Sequence, residues 1–151
     1  MELPAIIQDS REQDPLQFPV GVSVQVGTLG AGDYSLSGLE ELCAVERKSL
    51  PDLVSCCTNS NRQRFRSELH RLQAYRCRAV VVEATFEDAV QGRYRSQLKP
   101  QCLIASVSSW QIRYSVPFVW ATDTKHAATA TLQILRQFFR QCQEFKAKLE
   151  V

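Results

Sequence analysis

Short apolar runs and alternating apolar and polar residues predict six β-strands along the chain. The segment 22–29 ("VSVQVGTL") alternates, which is typical of a strand. The segment 79–84 ("AVVVEA") begins as a continuous apolar run, as in a strand that is covered on both faces. Glycines at 30, 32 and 38 mark turns between the early strands. The strands are predicted at 4–8, 22–29, 33–37, 42–48, 79–84 and 117–121.

Helical spacing of apolar residues predicts three helices among these strands. Phe65, Leu69 and Leu72 fall at i, i+4 and i+7, so they share one face while arginines take the others. Asp123 is of a residue type that caps helix N-termini. The helices are predicted at 61–75, at 99–116 and from Asp123 to about Phe145. Mixed strands followed by helix, strand and helix imply an α/β fold, a three-layer sandwich with a mixed central sheet flanked by helices.

The last predicted helix carries more apolar surface than one packing face needs. One stripe consists of residues 127, 131, 134, 138 and 145, and a second stripe beside it consists of residues 128, 132, 135 and 139. One stripe suffices for packing on a sheet, so the excess predicts a partner.

Length and composition fit one globular domain. The chain has 151 residues, 44% of them hydrophobic, and no Pro-, Gly- or Ser-rich linker divides it. We therefore expect a single domain over residues 1–151 with its core at about 4–145. No apolar run approaches the roughly 20 residues that span a bilayer, and the N-terminus lacks the layout of a signal peptide. The expectation is a cytoplasmic protein without a membrane partner.

Charge is unevenly distributed along the chain. Residues 1–46 hold eight acids and one base, whereas residues 47–151 hold seventeen bases and eight acids. The densest basic stretch, 61–78, has six arginines and one glutamate, and 93–113 has four bases and no acid. Such runs are usually a solvated helix face. An acidic cluster beside a basic surface is also what a metal-dependent enzyme acting on a polyanion needs.

Three consecutive charges end the strand at 42–48. Residues two apart in a strand share a face, so Glu46 and Lys48 point together while Arg47 points away. The pair could be a surface ion pair, worth about 0.5 kcal/mol. Alternatively, a hairpin would bring Asp33, in the turn "GAGDY", near Glu46. Two carboxylates on neighbouring strands suit an octahedral cation such as Mg²⁺ that keeps several waters.

An Asp followed by Glu-x-Lys resembles the catalytic core of the PD-(D/E)xK nuclease superfamily. A longer series of segments resembles the XPF-type nuclease domain, or ERCC4 domain, whose signature is G-D followed by E-R-K-x-x-x-D. These segments, in the family's order, are "IIQDSRE" (6–12), "GDY" (32–34), "VERKSLPDL" (45–53), the arginine-rich helix, "VVVEA" (80–84) and "VPFVWATDTKHAATATLQIL" (116–135). The resemblance covers nearly the whole chain and implies a restriction-endonuclease-like core.

The resemblance implies a metal-dependent DNA endonuclease that hydrolyses phosphodiester bonds, acts at branched or junction DNA in repair or recombination, and forms a homodimer. The sequence resembles the stand-alone prokaryotic or phage members of the family. It departs from the eukaryotic and archaeal pattern, in which a helicase precedes the nuclease domain and a tandem helix-hairpin-helix module follows it. Asn61-Arg62 stands where many members have Gly-Arg, which leaves substrate choice open. Two alternatives keep the same fold: a non-catalytic DNA-binding and dimerisation module, or a restriction-like nuclease on simple duplex or mobile-element DNA.

The family's site residues can be carried over position by position. The implied catalytic residues are Asp9, Asp33, Glu46, Arg47, Lys48 and Asp52. The implied ligands of Mg²⁺ or Mn²⁺ are Asp33, Glu46 and the Arg47 carbonyl, with Lys48 orienting the attacking water. Supporting roles around them fall to Arg11, Glu12 and Glu83.

Two of these assignments keep an alternative open. Arg47 either helps to close the site or pairs with an acid such as Glu12, and Glu83 is either a further ligand or a helix-facing partner. The expected DNA contacts are phosphate contacts by Arg62, Arg64 and Arg66. The other candidate for that surface is the second basic stretch, with Arg93, Arg95 and Lys99.

Overall fold

A computed structural model describes residues 2–150 as a mixed sheet between two layers of helices. The strands are β1 (Ile6–Asp9), β2 (Val24–Gly27), β3 (Tyr34–Leu36), β4 (Cys43–Lys48), β5 (Cys77–Val82) and β6 (Phe118–Trp120). The helices are α1 (Leu50–Ser55), α2 (Asn59–Leu72), α3 (Phe86–Val90), α4 (Pro100–Tyr114) and α5 (Thr124–Leu149). The predicted three-layer α/β sandwich is confirmed.

The sheet has the strand order β2-β1-β3-β4-β5-β6. Five of the six strands run in one direction, and β3 runs against its neighbours β1 and β4. The expected hairpin between 33–37 and 42–48 is present, with Tyr34 opposite Val45. One residue before Tyr34 is Asp33 and one residue after Val45 is Glu46, so antiparallel pairing brings these two acids to the same level of the sheet.

The two faces of β4 belong to two different cores. Ala44 packs in the core beneath α2 and α4, whereas Cys43 and Val45 pack in the core beneath α5. Because β4 and β5 pair residue by residue, Glu46 lies beside Val80 and Lys48 lies beside Val82. Three charges therefore follow directly on three fully buried residues in a strand that is covered on both sides.

Two short helices were not predicted. Both have fewer than seven residues, so no apolar periodicity could reveal them. Their caps were visible in the sequence, because Ser49 accepts a hydrogen bond from the amide of Asp52 and Thr85 forms a capping box with Asp88. Helix α1 matters for the site because it turns the chain directly after Lys48.

Strand β2 is less buried than its alternation suggested. Val24 and Val26 are 40% and 69% exposed, and β2 is the outermost strand of the sheet. Alternation correctly identified the strand. It could not show whether anything lies against the apolar side.

Helix α5 is capped at Asp123, as predicted, and runs further than predicted, to Leu149. The apolar excess of α5, from which a partner was predicted, is largely covered within the chain itself. Members of both stripes are buried in one core with β3, β4, β5 and Leu16 of the loop after β1. Phe145 and Leu149, near its end, are the large apolar residues of α5 that are strongly exposed. Neither α5 nor any other helix within residues 2–150 is apolar enough over a sufficient length to cross a membrane.

Candidate active site

Backbone hydrogen bonds hold Asp33 against the end of β4. The Asp33 amide donates to the carbonyl of Val45 at 2.8 Å, and the Arg47 amide donates to Asp33 Oδ2 at 2.7 Å. Gly32 makes this approach possible: its φ is +74°, and a Cβ atom there would lie 3.1 Å from the Val45 carbonyl oxygen. The carboxylate of Asp33 is therefore fixed by the main chain beside Glu46.

A cavity of about 230 Å³ opens where β1, β3, β4 and α2 meet. Its polar side chains are Asp9, Arg11, Asp33, Glu46, Glu68 and Arg71. Three of the acids expected in a catalytic site thus line one cavity. Glu68 and Arg71 were not predicted as site residues, although Glu68 stands out as the lone acid of the arginine-rich helix.

Asp9 is the most strongly anchored acid of this cavity. Only 2% of it is exposed, and its carboxylate accepts hydrogen bonds from the Arg11 amide, from Arg11 Nε at 2.7 Å and from the Leu29 amide at 3.0 Å. Burial acts to raise the pKa of Asp9, but the bonds from Arg11 and Leu29 outweigh it and lower that pKa. Its negative charge is therefore already balanced within the protein.

The negative charges of Asp33 and Glu46 are not balanced by neighbouring donors in this way. Burial and the charge of Glu12 raise the pKa of Asp33 to about 6, against the hydrogen bond from the Arg47 amide. Burial and the neighbouring Asp33 also raise the pKa of Glu46 well above its usual value. Two crowded carboxylates with too little positive charge beside them favour the binding of a cation.

The residues present fit a hard divalent cation held by few protein ligands. Besides the raised pKa values, Glu68 Oε2 is a buried oxygen without a hydrogen-bond donor among residues 2–150. Within that same range, no three His, Cys, Asp or Glu side chains converge as a complete metal site. Mg²⁺ commonly binds through one or two carboxylates and keeps several waters, which matches a pair such as Asp33 and Glu46.

Lys48 lies at the far side of Glu46. Its Nζ atom is 3.8 Å from Glu46 Oε1, 4.0 Å from Glu68 Oε2 and 5.0 Å from the centre of the Phe65 ring. Burial acts to lower the pKa of Lys48, but the charge of Glu46 raises it overall, so the side chain stays an ammonium. A second cavity of about 210 Å³ adjoins it, lined by Asp52, Arg64 and Glu68 among others.

Arg47 points to the opposite face of the sheet, as the strand alternation predicts. Its guanidinium pairs with Glu83 and, at 3.1 Å, with Glu12, and it donates to the carbonyl of Asp14. Tyr34 donates to the same Glu12 carboxylate at 2.8 Å. The Arg47 side chain is 12% exposed and its two acids 14% and 10%. This buried network joins β4, the end of β5 and the loop after β1.

The arginines of α2 that were predicted to contact DNA divide into two groups by their contacts within the protein. Arg62 donates to Ser106 Oγ at 2.9 Å and lies 5.0 Å from the Trp110 ring, while Arg66 donates to Tyr114 at 3.0 Å. Because they are four residues apart they share a face, and that face holds α2 against α4. Arg64 is exposed and has no hydrogen-bond or ion-pair partner among residues 2–150.

Comparisons with known proteins agree with the fold. A model of the ERCC4 domain family matches residues 8–134. A solved structure of XPF from Aeropyrum pernix superposes with a TM-score of 0.69 at 25% identity, over 89% of this chain and 61% of that one. XPF from the same organism in complex with DNA superposes with a TM-score of 0.71 at 26% identity, over 91% of this chain and 66% of that one. The chain thus spans less than two thirds of the length of either structure, and no curated protein matches it.

Loss of the Arg47 guanidinium should destabilise the fold. Arg47→Ala leaves Glu12 and Glu83 buried without their cation, which costs about 3–5 kcal/mol. Urea denaturation measures this directly. The matched control is Arg93→Ala, which breaks a pair with Asp88 whose arginine is 56% exposed and should cost less than about 1 kcal/mol. Equal losses in the two variants would contradict a structural role of the Arg47 network.

Asp33→Asn should stabilise the metal-free protein at neutral pH. The folded-state pKa of Asp33, about 6, lies above the usual value of 3.8 for an aspartate, so the folded state binds more protons than the unfolded state between these values. Stability from this group therefore falls as pH rises through that window. The variant should melt a few degrees higher than the parent at pH 8 in chelator, and the difference should vanish near pH 4. A lower melting temperature of the variant at pH 8 would contradict the conclusion that Asp33 is buried among other acids.

Proposed function

The chain belongs to the ERCC4 domain family, and from that membership and the geometry of its acidic cavity we propose that it is a metal-dependent DNA endonuclease that hydrolyses phosphodiester bonds. The observation that carries the proposal is the position of Asp33 beside Glu46, with raised pKa values and with Lys48 at 3.8 Å from Glu46. Crowded acids that ionise unfavourably on their own are typical of sites that act with a cation.

Asp33, Glu46 and the Arg47 carbonyl are the residues that would hold Mg²⁺ or Mn²⁺. Such an ion, when bound, supplies Lewis acidity toward the phosphate and toward water. Lys48 then orients the attacking water with its ammonium and offsets negative charge that develops on the phosphate. Asp9 fixes Arg11 at the rim of the cavity, and Asp52 lies beside Lys48 at the edge of the second cavity.

DNA would approach the side of α2 that carries Arg64 and Arg71. Arg71 and Arg11 line the acidic cavity, and Arg64 lines the neighbouring one. Arginines placed in this way bind backbone phosphates and read no base sequence. The similar XPF from Aeropyrum pernix whose structure is a complex with DNA supports DNA as the partner.

The proposed substrate is branched or junction DNA in repair or recombination, and the proposed location is the cytoplasm. The substrate rests on the family resemblance, and the location is the expectation drawn from the sequence. A homodimer is proposed with them, and the exposed apolar residues Phe145 and Leu149 at the end of α5 are the surface that supports it. A simple-duplex nuclease and a non-catalytic DNA-binding module are the alternative outcomes of a cleavage assay.

A cleavage assay on labelled flap, fork, four-way junction, duplex and single-stranded DNA tests the proposal. We expect cutting of branched DNA with Mg²⁺ or Mn²⁺ and none in chelator. Asp33→Asn and Glu46→Gln should each reduce cutting to background and retain DNA binding in Ca²⁺, because they remove charge at the cation and leave the core packing in place. Glu144→Gln, an exposed acid of α5, is the control that should cut normally. Near-parental cutting by either site variant would refute the assignment.

The salt dependence of DNA binding tests the arginine assignment. Arg64→Gln and Arg71→Gln should each weaken binding of all sequences alike and lower the slope of log K against log salt by about one unit. Arg62→Gln is the matched control on the same helix, because its guanidinium is committed to α4, and it should leave the slope unchanged. Titrations of a fluorescent duplex and fork in Ca²⁺ measure the slopes. Unchanged slopes for Arg64 and Arg71 would move the contact to Arg93, Arg95 and Lys99.

A further inference from the structure

Glu68 lies between the two cavities of the site and lines both of them. It lines the cavity that holds Asp33 and Glu46, and it also lines the cavity that holds Lys48 and Asp52. Helix α2 docks through buried Phe65, Leu69 and Leu72. Glu68 precedes Leu69 and therefore projects from the border of the docked face, toward the charged end of β4.

The Lys48 ammonium depends on carboxylates for its position. Its side chain is 16% exposed, and it makes no hydrogen bond to any residue between 2 and 150. Two carboxylate oxygens flank it, Glu46 Oε1 at 3.8 Å and Glu68 Oε2 at 4.0 Å. The Phe65 ring closes a third side at 5.0 Å. An ammonium this deeply placed is costly unless an anion stays beside it.

The two flanking acids, Glu46 and Glu68, differ in what else their carboxylates bind. Glu46 is a proposed ligand of the divalent cation, so its negative charge is shared with that ion when the site is loaded. Glu68 Oε2 is buried and accepts no hydrogen bond from residues 2–150, and Lys48 is the cation within 4.0 Å of it. When Glu46 turns to the metal, Glu68 is the carboxylate left to hold Lys48.

We propose that Glu68 is the positioning residue for Lys48. It keeps the Lys48 ammonium beside the acidic cavity while Glu46 binds the divalent cation. This inference rests on the proposed nuclease function for its catalytic consequence. The contact between Glu68 and Lys48 itself is independent of any reaction. Glu68 acts through Lys48 and does not touch the reacting phosphate.

A double-mutant cycle of Glu68→Gln and Lys48→Met tests this role. Gln keeps the size of the side chain and removes its charge. Glu68→Gln should slow single-turnover cleavage about 10- to 100-fold in the parent, because the lysine loses its placement. It should change the rate by less than about threefold when Lys48 is already Met, since a residue acting through another loses its effect with that partner. Equal slowing in both backgrounds would overturn the proposal, and Glu144→Gln should cut as the parent does.

Calorimetry with Mn²⁺ on the protein without DNA separates positioning from metal ligation. Glu68→Gln should weaken Mn²⁺ binding by less than about tenfold, the size of a through-space charge effect. A larger loss would assign Glu68 to the metal and overturn the proposal.

Chemical labelling provides a measurement that needs no cleavage. Reductive methylation of the folded protein, followed by mass spectrometry, should modify Lys48 several times faster in Glu68→Gln than in the parent, with exposed Lys125 as the internal standard. An unchanged Lys48 rate would overturn the proposal. If the parent cuts no DNA at all, the proposed function fails, and the labelling alone decides whether Glu68 holds Lys48.

Discussion

The structure depends on how three consecutive charges are accommodated at the end of a strand that is covered on both faces. Alternation sends Glu46 and Lys48 toward α2 and sends Arg47 toward α5. The three side chains are only 12–16% exposed, so each charge needs an opposite charge or an amide within reach. Glu12 and Glu83 meet this need for Arg47. On the other face positive charge falls short, and the acidic cavity arises from that shortage.

The reversed strand β3 explains why the acids meet at this point. Because β3 runs against both neighbours, the turn before it returns to the level where β1 and β4 end. The Asp9 amide donates to the Asp33 carbonyl at 2.8 Å, and the Asp33 amide donates to Val45. Three segments distant in the sequence are thereby joined through main-chain bonds, which hold their position whatever the side chains do. The acidic cavity is a property of the sheet topology as much as of its residues.

Much of the fold and part of the candidate site could be predicted from the sequence. The six strands and three long helices follow from periodicity, and the opposed directions of Glu46 and Arg47 follow from strand geometry alone. What could not be predicted depends on contacts between elements distant in the chain. Whether an arginine of α2 meets solvent or α4 is decided by where Ser106 and Tyr114 lie. Likewise, the apolar excess of α5 is covered by a loop and by strands, and the positions of these segments cannot be predicted from the apolar pattern of the helix.

The attachment of α2 to α4 through Arg62 and Arg66 has a consequence for entropy. Long cationic side chains lose roughly 1.5–2 kcal/mol of rotamer freedom each when they are ordered. Here that loss, and the loss of helix mobility, is incurred once during folding, through hydrogen bonds to Ser106 and Tyr114. The surface of α2 is therefore ordered before any polyanion arrives. In the proposed nuclease, binding energy gained there would not be spent on ordering the helix and would remain available for distorting the nucleic acid toward the geometry of reaction.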